Sequence, residues 1–155
     1  MNSESLPNRS VKLFLRADHD FGRESPQQRI VEQLSALEAN GELDDYEVVV
    51  WGRELRLDGP LTETDYYRRV VDHVEEFEAW AAGTDVSIEY LFRRRRVDSA
   101  FVDEAYDLLS LPVAFLAIYR DGDVAQVYPC KRTDGPRSIT EFAKHFESIP
   151  TSSPV

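Results

Sequence analysis

Lysine is scarce in this chain of 155 residues: only Lys12, Lys131 and Lys144 occur among its 18 basic residues. The remaining basic residues are arginines, and 29 acidic residues give a formal net charge of −11. A surplus of this size makes the chain repel itself in dilute buffer. We therefore expect a fold that tolerates or requires screening by salt.

Cysteine occurs once, as Cys130, which excludes an internal disulfide and is typical of a reducing compartment. No apolar run approaches the roughly 20 residues that a membrane-spanning helix needs. Residues 1–5 lack the basic region and the apolar run of a signal peptide. We therefore expect a cytoplasmic protein with no membrane partner.

Motifs of several enzyme classes are missing as well. The sequence contains no Gly-rich phosphate-binding loop, no nucleophile elbow and no zinc-ligand spacing. We therefore predict no catalytic residues, no cofactor and no metal, and a function that is not enzymatic.

The apolar content, at 42 % of the residues, is sufficient for the core of one domain. We place a single domain at residues 11–147, between a flexible N-terminus at 1–10 and a flexible C-terminus at 148–155. Val48, Val49 and Val50 form part of a predicted strand with a near-continuous apolar character, which favours burial on both of its faces.

Alternating or continuous apolar runs predict strands, and capping residues before apolar stripes predict helices. The strands lie at 11–15, 46–51, 86–92, 113–119 and 124–128, and the helices at 26–39, 62–82, 98–110 and 139–146. Residues 53–57 extend the second strand or form a separate ribbon. The order β-α-β-α-β-α-β-β-α predicts a single α/β domain with a mixed sheet, in which 113–119 is a central strand.

Residues 111–124 (LPVAFLAIYRDGDV) resemble the second half of a thioredoxin-fold protein, with a proline before a buried strand and an Asp-Gly hairpin turn. The strand–helix–strand of 11–51 is similar to the first half of that fold. The resemblance implies a thioredoxin-like topology with Pro112 as the cis-proline of the fold. Because the loop from Asp18 to Arg23 contains no cysteine, thioredoxin-type redox chemistry is excluded.

A second resemblance covers the whole chain. The segments 48–52 (VVVWG), 96–99 (RVDS), 111–113 (LPV) and 128–130 (YPC) are similar to those of a haloarchaeal family commonly labelled helix-turn-helix domain proteins. The acid excess and the scarcity of lysine are also similar to proteins of salt-loving archaea, whose cytoplasm holds concentrated potassium salts. This resemblance implies DNA binding and transcriptional control.

The most conspicuous local feature is the arginine run Arg93-Arg94-Arg95-Arg96. Arginines can bind phosphate, nucleic acid or an acidic partner. In an extended strand the run would place alternate arginines on opposite faces, where they would instead pair with surplus carboxylates of neighbouring elements. Both interpretations stay open at this point.

Two further segments contain candidate binding residues. His19 stands between Asp18 and Asp20, a pattern that fits a metal ligand, an oriented base or a solvated loop. Cys130 precedes Lys131 and Arg132, whose charges would favour a reactive thiolate if the thiol were accessible. Otherwise Cys130 is a small packed residue.

The absence of a catalytic set favours a redox-inactive interaction or regulatory module that binds a protein partner through the Asp18–Arg23 loop, the arginine run or residues 129–132. The alternative is a DNA-binding regulator, as the family resemblance implies. A third hypothesis, an enzyme that uses Cys130, requires this thiol to lie in a cleft near histidine or cations.

The charge balance leads to a first prediction. Thermal unfolding should shift to lower temperature when potassium chloride is reduced from molar to millimolar concentration, because unscreened carboxylates repel one another. Circular dichroism during heating measures the shift. An unchanged melting temperature across this range would contradict the expectation.

Overall fold

A computed structural model describes residues 8–17, 25–99 and 104–147. Residues 1–7 of the N-terminus expected to be flexible (1–10), the whole Asp18–Arg23 loop, and the C-terminus expected to be flexible (148–155) lie outside the described residues. Strand β1 begins at Arg9, inside the expected flexible N-terminus. The strands are β1 Arg9–Arg16, β2 Asp45–Trp51, β3 Glu54–Arg56, β4 Arg94–Ser99, β5 Glu104–Ser110, β6 Ala114–Arg120, β7 Asp123–Tyr128, β8 Cys130–Arg132 and β9 Gly135–Arg137. The helices are α1 Pro26–Ala39, α2 Asp65–Ala82 and α3 Phe142–Glu147, with short 3-10 helices at Pro60–Glu63 and Ile139–Glu141.

A mixed four-stranded sheet organises these elements in the order β2-β1-β6-β7. Strand β1 pairs with β2 in parallel and with β6 in antiparallel orientation, and β6 pairs with β7 as a hairpin. Residues 115–119 of β6 are all buried. The prediction of an α/β fold with a central strand at 113–119 is therefore confirmed.

Side chains of β1 alternate between two cores on opposite faces of this sheet. Leu13 lies in a cluster with Ile30 of α1 and Phe142 of α3. Phe14 lies in the other cluster with Phe77 of α2. Each face of the sheet is thus covered by a different part of the chain.

Three capping residues explain where the helices begin. Ser25 Oγ accepts a hydrogen bond from Gln28 N at 3.1 Å, and Thr64 Oγ1 accepts one from Tyr67 N at 3.1 Å. Ser138 forms the predicted capping box with Glu141 at the 3-10 helix that leads into α3. These bonds satisfy backbone N–H groups that have no partner in the first turn of a helix.

Aromatic rings hold α2 against the sheet. The rings of Phe14 and Trp51 stack with centroids 4.7 Å apart, and the Phe77 and Phe115 centroids lie 4.9 Å apart. Phe92 contacts Phe115 edge-on at 5.1 Å. Because large buried rings contribute heavily to core stability, this cluster fixes the position of α2.

The prediction of a helix at 98–110 is wrong. Residues 94–99 and 104–110 form the antiparallel strands β4 and β5 of a second, three-stranded sheet in the order β3-β5-β4. The spacing of Ala105, Tyr106 and Leu109 had suggested a helix. In strand β5, Leu109 pairs with Leu55 of β3, and both side chains are buried in the core. Pairing on both sides gives the backbone of the middle strand its hydrogen bonds.

Two other expectations also need correction. Residues 86–92 form no strand but a turn with one bridge, between Ser87 and Lys131, although Val86, Ile88 and Phe92 are buried as expected. The hairpin of β8 and β9 was not predicted. Among the described residues the cis peptide bond is Tyr128–Pro129, and the bond before Pro112 is trans.

The aromatic cluster leads to a second prediction. Replacing Phe77, which is completely buried, by alanine should lower the free energy of unfolding by about 3–5 kcal/mol through lost contacts and a cavity. Denaturant unfolding in molar potassium chloride measures the loss. Leu61→Ala is the matched control, because Leu61 is 54 % exposed and its truncation should cost less than about 0.5 kcal/mol. Equal losses in the two variants would contradict the proposed importance of the cluster.

Candidate functional site

The arginine run lies at the edge of the second sheet, where three of its members pair with carboxylates. Arg94 binds both oxygens of Glu78, at 3.0 and 3.2 Å. Arg95 binds Glu54 at 2.6 Å, and Arg96 binds Asp107 at 3.2 Å.

The alternation of strand β4 agrees with these partners, since Arg94 reaches α2 and Arg95 reaches β3. Arg93 precedes the strand and is exposed. All four side chains are exposed, but pairing offsets most of the charge that a phosphate-binding patch would need. The geometry thus favours the intramolecular interpretation for 94–96.

The segment around Cys130 does not form an accessible thiol site. Cys130 is completely buried, and burial raises the pKa of its thiol more than the nearby Arg132 lowers it. Arg132 binds Asp85 at 3.1 Å and also contacts Gln126, and the Lys131 ammonium lies 4.5 Å from the ring centroid of Tyr90. The cations are engaged locally, and the thiol behaves as a small packed residue.

His19, the remaining candidate, lies outside the described residues. Among the residues that the structure does describe, no group of three or more His, Cys, Asp or Glu side chains could hold a metal ion. No helix in the described ranges is long and apolar enough to span a membrane.

A cavity of about 360 Å³ lies between the outer strand β2 and the helix α2. Its apolar lining includes Phe14, Trp51 and Val70, which belong to the aromatic core. Tyr66, from the first turn of α2, closes one end, where its Oη accepts a hydrogen bond from Gly52 N at 2.8 Å. The cavity is therefore a gap that α2 leaves at the edge of the main sheet.

Two cations, Lys12 and Arg69, also line this cavity. The Lys12 ammonium lies 5.3 Å from the ring centroid of Tyr119. Glu47 also lines the cavity, from the outer strand. Glu47 is the direct cross-strand neighbour of Lys12, so charges of both signs meet at this cavity.

Strand β2 forms an open edge of the sheet beside the cavity, because no described strand pairs with its outer side. Val48 and Val50 are 40 % and 57 % exposed there. The prediction that this strand is buried on both faces is therefore wrong: α1 covers Tyr46 but leaves the two valines uncovered. Asp45 and Glu47, which interrupt the apolar run, were the sequence signal for an edge strand.

The backbone of β2 also presents hydrogen-bonding groups outward. Trp51 O accepts a hydrogen bond from Ala17 N, at the end of β1. Because the groups of a parallel strand alternate in direction, the groups of Tyr46, Val48 and Val50 point away from β1. The edge of β2 combines these groups with the two exposed valines.

Residues 3–150 match the family model described as "Helix-turn-helix domain". No curated protein and no solved structure matches the chain. In the described ranges, strands separate α1 from α2 and α2 from α3. No two α-helices in this part of the chain are thus joined by the short turn of about three or four residues that gives such domains their name.

His73 at the cavity leads to a third prediction. Burial lowers the pKa of His73, and Lys12 lowers it further, while Glu76 lies 3.9 Å from Nδ1, at the limit of an ion pair. The unfolded chain, in which His73 has its ordinary pKa of 6.5, therefore binds the proton more readily than the folded chain. Neutral His73 contributes its whole share of the folding free energy above pH 6.5, and this share is lost as the pH falls below that value.

Denaturant unfolding at about pH 7.5 and about pH 5.5 measures this effect, and His73→Gln should lose less stability between the two than the unchanged chain. The carboxylates lose the same free energy of unfolding in both proteins between these two pH values. The difference between the two losses therefore measures the contribution of His73. Equal losses would contradict the assignment.

Proposed function

The chain belongs to the helix-turn-helix domain family, and from this premise and the open edge of β2 we propose that it is a non-enzymatic interaction module that binds a protein strand at β2. The observation that carries the proposal is the exposure of Val48 and Val50 on an edge strand whose outer side pairs with none of the described strands. The binding mode is strand addition, in which main-chain hydrogen bonds supply affinity and neighbouring pockets supply specificity.

The composition of β2 supports strand addition. Natural edge strands are usually protected by charged side chains, especially lysine, by proline, by a bulge or by very short length. Strand β2 has seven residues, contains neither lysine nor proline, and pairs with β1 in unbroken register, although it carries Asp45 and Glu47. The half of its outer side from Val48 to Val50 therefore lacks these protecting features.

The distribution of exposed apolar side chains supports the same surface. Four large hydrophobic residues are exposed among those described, and two of them, Val48 and Val50, are neighbours on one face of β2. Apolar side chains grouped in one place mark interaction sites, whereas single ones are ordinary. The other two, Leu61 and Tyr66, lie in the 3-10 helix before α2 and at the start of α2.

The setting of this binding is a cytoplasm rich in salt. The net charge of −11 and the three lysines support this placement. At high ionic strength the charges beyond about 3 Å are screened, so apolar contact and main-chain hydrogen bonds dominate association.

A second candidate function is DNA binding, which family membership favours. Contacts would come from the run Arg93–Arg96, since arginine binds phosphate and base edges well. Three of these arginines would first have to leave their carboxylate partners. For this reason we rank DNA binding below strand addition.

A fourth prediction tests both candidates by affinity capture from a lysate of the source organism held in molar potassium chloride. Val50→Lys should lose the captured protein, because the lysine places a charge on the docking edge. Leu61→Lys, the same change at an exposed residue away from β2, should keep it.

Retention of the same protein by Val50→Lys would overturn strand addition at β2. Recovery of DNA that disappears when Arg93, Arg94, Arg95 and Arg96 are changed to serine would establish the regulator instead. The two outcomes are independent, since the substitutions lie in different sheets.

A further inference from the structure

We infer that the cavity between β2 and α2 binds an α-amino acid with a large apolar side chain. The ligand class follows from three features of the lining, which combines a carboxylate, neighbouring cations and an apolar surface. The site does not depend on strand addition at the outer edge of β2, because its charged groups lie on the face of the sheet that α2 covers.

The cavity has the size and the walls of a small-molecule site. Its volume of about 360 Å³ lies within the roughly 300–1,000 Å³ that ligand pockets occupy. Strands β1 and β2 form one side of it. Helix α2 forms the other side with residues that share one face of the helix, namely Tyr66, Arg69, Val70 and His73. A small molecule is therefore held between two rigid elements.

Charges of opposite sign stand side by side in this cavity. Lys12 of β1 lies directly opposite Glu47 of β2, and neighbouring strands are about 4.8 Å apart. The two side chains form no ion pair with each other in the described part of the chain, and the Lys12 ammonium lies 5.3 Å from the ring centroid of Tyr119. An α-amino acid carries its ammonium and carboxylate groups on one carbon, so it requires binding groups of opposite sign at this short spacing.

Arg69 adds a second cation for the carboxylate of the ligand. Its side chain is exposed and lines the same cavity. Burial lowers the pKa of His73, and four charged side chains act on it as well: Lys12, Glu47, Asp72 and Arg69. The charged groups thus converge on one space. A guanidinium binds a carboxylate through two parallel N–H donors, while the carboxylate of Glu47 accepts hydrogen bonds from an ammonium.

The apolar side chain of the ligand lies against Val49 and Tyr66. Val49 follows Glu47 by two residues on the same face of β2 and packs against the core. The Tyr66 side chain is 38 % exposed, and its hydroxyl accepts a hydrogen bond from Gly52 N at 2.8 Å, which holds the ring in place. From Glu47 to Trp51 the strand extends about 13 Å, which is sufficient for the length of a phenylalanine molecule.

The net charge of the protein favours this ligand class over a simple anion. A chain with a formal net charge of −11 repels anions, whereas an α-amino acid at neutral pH has no net charge. Concentrated salt screens charges beyond about 3 Å, but hydrogen bonds at contact distance and apolar burial persist. Binding should therefore be measured in molar potassium chloride.

A fifth prediction tests the ligand class by isothermal titration calorimetry. L-Phenylalanine should bind, and three probes that each lack one of its recognised groups should bind at least about tenfold more weakly. These probes are 3-phenylpropionate without the ammonium, 2-phenylethylamine without the carboxylate, and glycine without the apolar side chain.

Variants of the chain test whether this cavity is the site. Arg69→Gln and Glu47→Gln should each weaken the binding of L-phenylalanine by about tenfold or more, because each removes one charged contact. Arg68→Gln on the same helix and Asp45→Asn on the same strand are the matched controls, since neither side chain lines the cavity. Both controls should bind like the unchanged chain, and circular dichroism checks that every variant is folded.

Three results would overturn the inference. They are no binding of L-phenylalanine by the unchanged chain, equal binding of L-phenylalanine and any of the three probes, and equal affinity of the cavity variants and their matched controls. None of these results bears on strand addition, which the capture experiment with Val50→Lys tests at the outer edge of β2.

Discussion

The stacking of Phe14 and Trp51 beneath Phe77 is the interaction on which the rest of the structure depends. Phe14 comes from the inner strand β1, Trp51 from the end of β2, and Phe77 from α2, so one cluster joins the sheet to its covering helix. The same cluster determines how much of the sheet α2 covers. Helix α2 contacts the sheet through these rings but does not reach the outer side of β2. The space left between α2 and β2 is the cavity, and the exposed edge of β2 lies beside it.

Charge pairing neutralises most of the conspicuous arginine run. The arginines of β4 are bound to Glu78, Glu54 and Asp107, which lowers local repulsion but leaves little free positive charge for a ligand. The cavity beside β2 also combines charges of both signs, because Lys12 lies opposite Glu47 of the neighbouring strand and Arg69 lines the same space. Neither surface therefore presents a strong positive potential in the described part of the chain.

Short sequence patterns predicted the features that depend only on residues close together in the chain, namely helix caps and tight turns. The caps at Ser25 and Ser138 were predicted correctly, and so was the turn at Asp121-Gly122, where both residues have positive φ values of 54° and 89°. Strand order depends on contacts between distant segments, which no short pattern contains. The run at 46–51 therefore indicated a strand but not an edge, and the spacing of 105–109 fitted a helix as well as the strand that cross-strand pairing selects.

The family description and the fold differ at one point. In the described ranges strands separate the α-helices, so no two of them are joined by the short turn that gives such domains their name. If this chain contacts DNA through the run Arg93–Arg96, then Arg94, Arg95 and Arg96 must first leave Glu78, Glu54 and Asp107. Concentrated salt weakens exposed ion pairs and phosphate contacts alike, so it does not favour the second over the first. DNA binding by this surface would therefore need contacts to base edges in addition to phosphate contacts.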